Sequence, residues 1–260
     1  MRDAWDGRTG WRQGTVVLAQ ELGESAKGTD CERAVVISHD CDLASAPDRE
    51  PAVEVIPAEP LEHPDGSNQN GRNPRELHLR LVDQEGSGVG WFRLLSRDKL
   101  TIRKEALPAG ALSGDQVDPQ QHHALQDWLA ARYRRHALPD ALGERLAGLW
   151  DHLRSKLRKK GEEIIGIWIN YDPREELAPG DPYEIDLYVV FSVDAPGASE
   201  VAETLADGLR QRLEGTENLV PGECEALSEE AFTLHDLRTT EQLRFEYISN
   251  RLGPDAPRAD

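Results

Sequence analysis

Arg33-Ala34-Val35-Val36-Ile37-Ser38, followed at once by His39-Asp40-Cys41-Asp42, is the stretch that decides how the N-terminal half is read. Consecutive β-branched side chains are stiff at χ1 and crowd a helix, whereas on a pleated sheet they pack well. The run is too short to be a helix of its own. It therefore predicts a buried strand that ends where four polar side chains begin.

Working outward, Gly14-Thr15-Val16-Val17-Leu18 and Val53-Glu54-Val55-Ile56 read as neighbouring strands. Leu77-His78-Leu79-Arg80-Leu81 alternates with period two, and Trp91-Phe92-Arg93-Leu94 and Leu100-Thr101-Ile102 are two further candidates. Between them, residues 62–75 are crowded with Pro, Gly, Asn and Ser and read as an exposed, flexible loop. Many short strands without an intervening helix predict a small antiparallel barrel over residues 1–112.

Residues 113–252 read differently. Asp118-Pro119 opens a helix with the stripe Leu125, Trp128, Leu129 and Tyr133. A second helix from Pro139 carries Leu142, Leu146, Leu149, Leu153 and Leu157 up to Gly161, and the two are expected to form a hairpin. The apolar runs at 164–169 and 185–191 read as central strands covered on both faces. Helices are expected at 199–213 and 240–252, the latter opened by a capping box of Thr239 and Gln242, and residues 253–260 as a disordered tail. The fold class is α+β: a small SH3-like β-barrel, then a helical hairpin, then an α+β domain.

Composition bounds the function. The 260 residues include 48 acidic and 30 basic side chains, a net charge of -18 that disfavours nucleic acid and anionic membrane as partners. The basic run Arg154, Lys156, Arg158, Lys159 and Lys160 is the local exception. Cys31, Cys41 and Cys224 are odd in number and far apart, so they build neither a disulfide framework nor a four-cysteine zinc site. No apolar segment is long enough to cross a membrane as a helix, and the cytoplasm is the expected compartment. P-loop, GxGxxG, HExxH and GxSxG motifs are absent, which removes the corresponding nucleotide, dinucleotide, zincin and hydrolase classes.

Residues 38–42 carry the chemistry. A thiol beside an imidazole can act as a nucleophile, and carboxylates can orient the imidazole or bind a divalent cation. His39, Asp40, Cys41 and Asp42 are the catalytic candidates, with His39, Cys41 and Asp42 as ligands of a divalent metal ion. His78 and the 62–75 loop are candidate spatial partners. The competing reading makes Cys41 a small buried hydrophobe, with Asp40 and Asp42 turning and capping the chain. Weaker candidates are His122 and His123, expected to be solvated, the pair Glu184 and Asp186, and the basic cluster at residues 132–136.

The strands at 14–18, 33–38 and 53–57 resemble in order the SH3-like barrel of MazF/PemK-type toxins, over residues 13–60. That resemblance implies RNA cleavage. This chain departs by placing His-Asp-Cys-Asp after the second strand and by its acidity, so no family catalytic residue transfers to a numbered position. The function expected is a thiol- or metal-dependent hydrolase or nuclease-like effector. The alternative is a non-catalytic adaptor or regulatory subunit that binds a protein partner, with an exposed apolar patch that includes Trp5, Trp11 or Trp91.

Overall fold

The computed structural model describes residues 10–26, 31–107, 111–131, 138–160 and 162–244. Strands β1 (Thr15–Leu18) and β2 (Arg33–Val36) pair antiparallel with Val16 opposite Val35, and a short helix α1 (Asp40–Ala44) follows β2. Next come β3 (Ala52–Leu61), β4 (Glu76–Val82), β5 (Gly88–Leu95), β6 (Leu100–Arg103) and β7 (Leu112–Val117). The order β2-β1-β7-β4-β5-β3, with β3 pairing back onto β2, closes a six-stranded antiparallel barrel. Strand β6 adds to the first half of β3, outside the ring, and its exposed Thr101 and Arg103 give this remaining edge a polar surface.

Alternation along β1 and β2 builds two cores. Val16, Val35 and Ile37 point into the ring with Ile56, Leu79, Phe92 and Leu94. Val17, Ala34 and Val36 point the other way, onto Val55, Ile102, Trp11 and Leu43. Both faces of β2 are dry, as its β-branched run requires. Each fully buried Val or Ile contributes about 1.5–3 kcal/mol.

Helix α2 (His122–Ala131) puts Leu125 and Trp128 into the ring's core, so it belongs to the barrel and not to a hairpin with the next helix. The second unit comprises residues 65–73 together with the chain from 134 onward. Helices α3 (Asp140–Arg145) and α4 (Ala147–Leu157) divide the expected second helix at Leu146. Strands β8 (Ile164–Asp172) and β9 (Tyr183–Phe191) pair antiparallel, α5 (Ala198–Glu214) crosses over, and β10 (Leu219–Ser228) runs parallel to β9. The leucine stripe of α3 and α4 and that of α5 pack with Ile167, Ile169, Ile185, Leu187 and Val189. The side chains that alternate with these on β9, among them Glu184, Asp186 and Tyr188, are not buried, so β9 is not covered on both faces as the sequence predicts.

A short helix α6 (Leu234–Thr239) is closed by a capping box between Thr233 and Asp236, and β11 (Glu241–Gln242) pairs with β8. The expected helix at 240–252 is thus replaced at its start by a strand, and its remainder lies outside the described residues, as does the 253–260 tail.

Residues 65–73 depart most from expectation. Gly66, Ser67, Gln69, Gly71 and Arg72 are buried, not exposed. Their composition answers a geometric demand: Asn70 and Gly71 take positive φ of 53° and 67°, which Asn and Gly tolerate best. Asp65 accepts from Ser67 N and Oγ at 2.9 and 2.6 Å, and Arg72 donates to Gly66 O. Gly66 N donates to Arg158 O at 2.8 Å, and Asn70 Nδ2 to Ile164 O at 3.1 Å, which docks the loop onto the end of α4 and the start of β8. Burial pulls the Arg72 guanidinium down to about 9 while Glu163 pulls it back, so it remains charged at neutral pH. Arg72→Ala is expected to lower stability by about 3 kcal/mol, from a lost buried hydrogen bond and the void left behind. Denaturant titration measures the loss, and amide exchange at 66–71 should accelerate more than in the barrel.

Candidate functional site

Regular pairing of β2 ends at Val36, and backbone needs govern the turn beyond it. Ser38 is buried, and its Oγ accepts from Glu54 N at 2.8 Å, pinning the strand's exit to β3. His39 then becomes the N-cap of α1, with Nδ1 accepting from Cys41 N at 3.2 Å. That acceptor role places the ring proton on Nε2. Asp40 Oδ1 accepts from Gln13 N at 2.7 Å. Strand alternation does not persist through this turn. His39, Asp40, Cys41 and Asp42 are all exposed, so Cys41 is not the buried hydrophobe of the competing reading, although the capping half of that reading describes the turn.

The other end of α1 rests on Lys104. This lysine is 1% exposed, and its ammonium donates to Asp42 O at 2.5 Å and Ser45 O at 2.7 Å. A cation on the last carbonyls of a helix also complements its dipole. Burial holds the ammonium below the usual lysine range, with Glu50 and Asp42 opposing.

Gln13 ties this turn to the helix that plugs the barrel. Its Nε2 donates to Ile37 O at 2.9 Å, its carbonyl accepts from His122 Nε2 at 3.1 Å, and its Oε1 accepts from Gln126 Nε2 at 3.1 Å. His122 is therefore an anchor and not a solvated side chain, while His123 is exposed. Gly14, at φ +87°, takes a backbone conformation that other residues rarely adopt, and a Cβ there would make a tight 3.1 Å approach to the His122 ring.

Among these elements lies a pocket of about 170 Å³ lined by Gln13, Ile37, His39, Glu54, Ile56, Ser96, Lys99, Trp128 and Leu129. Ile37, Ile56 and Trp128 are its buried part, whereas His39 and Lys99 are exposed at its mouth. Lys99 Nζ and Glu54 Oε1 stand 2.6 Å apart with both side chains partly open to solvent, so this ion pair contributes roughly 0–1 kcal/mol and can be re-formed around a ligand. Of the four candidate residues, His39 alone lines the pocket; Asp40, Cys41 and Asp42 occupy the turn beside it.

The weaker candidates have structural duties or lie elsewhere. His78 is buried with Nε2 2.8 Å from Glu76 Oε1 and does not line the pocket. The oxygens of Asp186 take Glu223 N at 2.9 Å and Asn170 Nδ2 at 3.1 Å, which holds the irregularity in β10. Trp11 is core, Trp91 is half-buried, and Trp5 and the basic cluster at 132–136 lie outside the described residues. Among the described residues, no three His, Cys, Asp or Glu side chains are grouped to share a metal ion, and no helix is long and apolar enough to cross a membrane.

Comparison with protein-family models, with curated proteins and with solved structures finds no match.

Lys104→Met removes both bonds to the end of α1. Amide exchange at Ser45 is expected to rise at least about 10-fold, the equivalent of one charge-assisted hydrogen bond near 1.4 kcal/mol. Because the folded-state pKa is lowered, the unfolded chain binds more protons just below the ordinary lysine pKa of 10.5, and stability rises as pH climbs into that window. The slope should flatten in Lys104→Met, read as the difference between the two unfolding free energies against pH.

Proposed function

We propose that the first unit is a ligand-binding barrel and that the chain acts as a non-catalytic adaptor or regulatory subunit, taking part of a protein partner in the pocket beside His39. The observation that carries this is the pocket itself: buried Ile37, Ile56 and Trp128 beneath a mouth of His39, Glu54 and Lys99. Apolar walls with a few polar groups at the opening are what binding sites of this kind need. With Nδ1 accepting from Cys41 N, His39 offers the pocket a donor at Nε2, which suits it to bind an acceptor.

A second reading, the thiol-dependent hydrolase or nuclease-like effector, is favoured by one observation: the exposed Cys41 thiol stands on the same turn as His39. The ribonuclease activity of MazF/PemK-type toxins belongs under this reading, and the closed antiparallel barrel is what the two would share. Against it, Lys99 is the one cation among the lining residues and Glu54 stands beside it, where phosphate chemistry calls for several positive charges and no carboxylate. A divalent metal on His39, Cys41 and Asp42 is not supported by the geometry: His39 Nδ1 serves Cys41 N, and among the described residues no three such side chains are grouped to share an ion.

His39→Asn keeps a good N-cap and is expected to leave stability within about 0.5 kcal/mol, whereas His39→Ala should cost about 1 kcal/mol in thermal unfolding. Assayed on fluorogenic RNA and ester substrates, the wild type is expected to show no turnover above Cys41→Ser. Turnover that vanishes in Cys41→Ser would replace the adaptor reading with the enzyme.

A further inference from the structure

We infer that the occupant of the pocket is an aromatic side chain without a polar tip, presented by a basic segment of a partner protein; this rests on the binding reading above. Size comes first. A pocket of about 170 Å³ admits a single ring, since a cavity of about 150 Å³ is known to hold benzene. Ring chemistry is set by depth. The buried part is made by Ile37, Ile56 and Trp128, so a ring that enters meets apolar side chains and the flat face or edge of an indole. A nucleobase would carry its polar edge into that region, and each hydrogen bond left unmade there weakens binding by about 10-fold or more. A phenyl ring leaves none unmade.

The mouth has groups that a peptide backbone can use. His39 presents its Nε2 proton, and Glu54 and Lys99, paired at 2.6 Å and partly open to solvent, offer a carboxylate and an ammonium that can be shared with it. Charge sets the flanks. Asp40 and Asp42 are exposed on α1 directly after His39, and the chain as a whole carries -18, which repels a polyanion and attracts lysine and arginine.

Full-length protein labelled at isoleucine methyls tests this with four probes: N-acetyl-phenylalaninamide, uridine, a hexapeptide with one Phe flanked by Lys, and the same peptide with Glu for Lys. Ile37 and Ile56 methyl signals are expected to shift saturably with N-acetyl-phenylalaninamide, with Kd on the order of 1 mM. The Lys peptide should bind at least about 10-fold tighter than the Glu peptide, the gap closing at high salt. Ser96→Trp, or Leu129→Trp should that variant fail to fold, fills the pocket and is expected to abolish the shifts. Saturation by uridine but not by the phenyl probe would overturn the ring assignment while leaving the pocket as the site. Equal affinity for the two peptides would overturn the basic partner. Should no probe move either methyl, this inference and the binding reading fall together.

Discussion

Burial of β2 on both faces is the constraint that organises the barrel. A strand with one wet face can slip by two residues at modest cost, but Val35 and Val36 face separate cores, so any slip strips one of them of its contacts. The register fixed in this way places Val35 opposite Ile56 and closes the ring onto β3. Ser38 then locks the exit by accepting from Glu54 N. His39 follows directly and lines the mouth of the pocket as the N-cap of α1.

The polar segment after β2 shows how backbone demands compete with chemistry. The end of a strand, the two ends of a helix and the approach of another chain segment leave backbone donors and acceptors without regular partners, and side chains meet several of them here, His39 and Asp40 among them, which the sequence alone offers equally well to catalysis or a metal. His39 serves Cys41 N, Asp40 serves Gln13 N, and Lys104 serves the carbonyls at the far end of α1. Gln13 repeats the pattern in one residue, bonding to Ile37, Asp40, His122 and Gln126. The pocket is the space these obligations leave between the rim and Trp128.

Strands were legible where periodicity and burial agree: β1, β2, β8 and β9 fall on β-branched or apolar runs, and β4 on the alternation Leu77-His78-Leu79-Arg80-Leu81. Strand β7 was hidden because Leu-Ser-Gly-Asp-Gln-Val is apolar only at its ends, and β10 because Pro221, Gly222 and its glutamates leave no continuous apolar or alternating run. Gly222 is instead the residue whose missing Cβ admits Asp186 Oδ1, which a Cβ would approach to 2.3 Å. Helix α2 was legible as a helix but not as a barrel plug, since an apolar stripe does not say which core receives it. The loop at 65–73 misleads for a similar reason: Asn, Gly and Ser satisfy left-handed backbone and buried hydrogen bonds as readily as they signal exposure. Of the site, His39 could be read from its neighbours in sequence. Gln13, Glu54, Ser96, Lys99 and Trp128 come from segments far apart along the chain, and only closure of the barrel brings them to one opening.

The most direct measurement is a methyl-to-aromatic NOE spectrum of the free protein. Barrel closure with α2 seated in it expects cross-peaks from the Ile37 and Ile56 methyl groups to the Trp128 indole, together with contacts from His39 Hε1 into the same set. Cross-peaks that tie Trp128 only to residues of the second unit, with Ile37 and Ile56 silent toward it, would contradict the seat of the helix and remove the pocket.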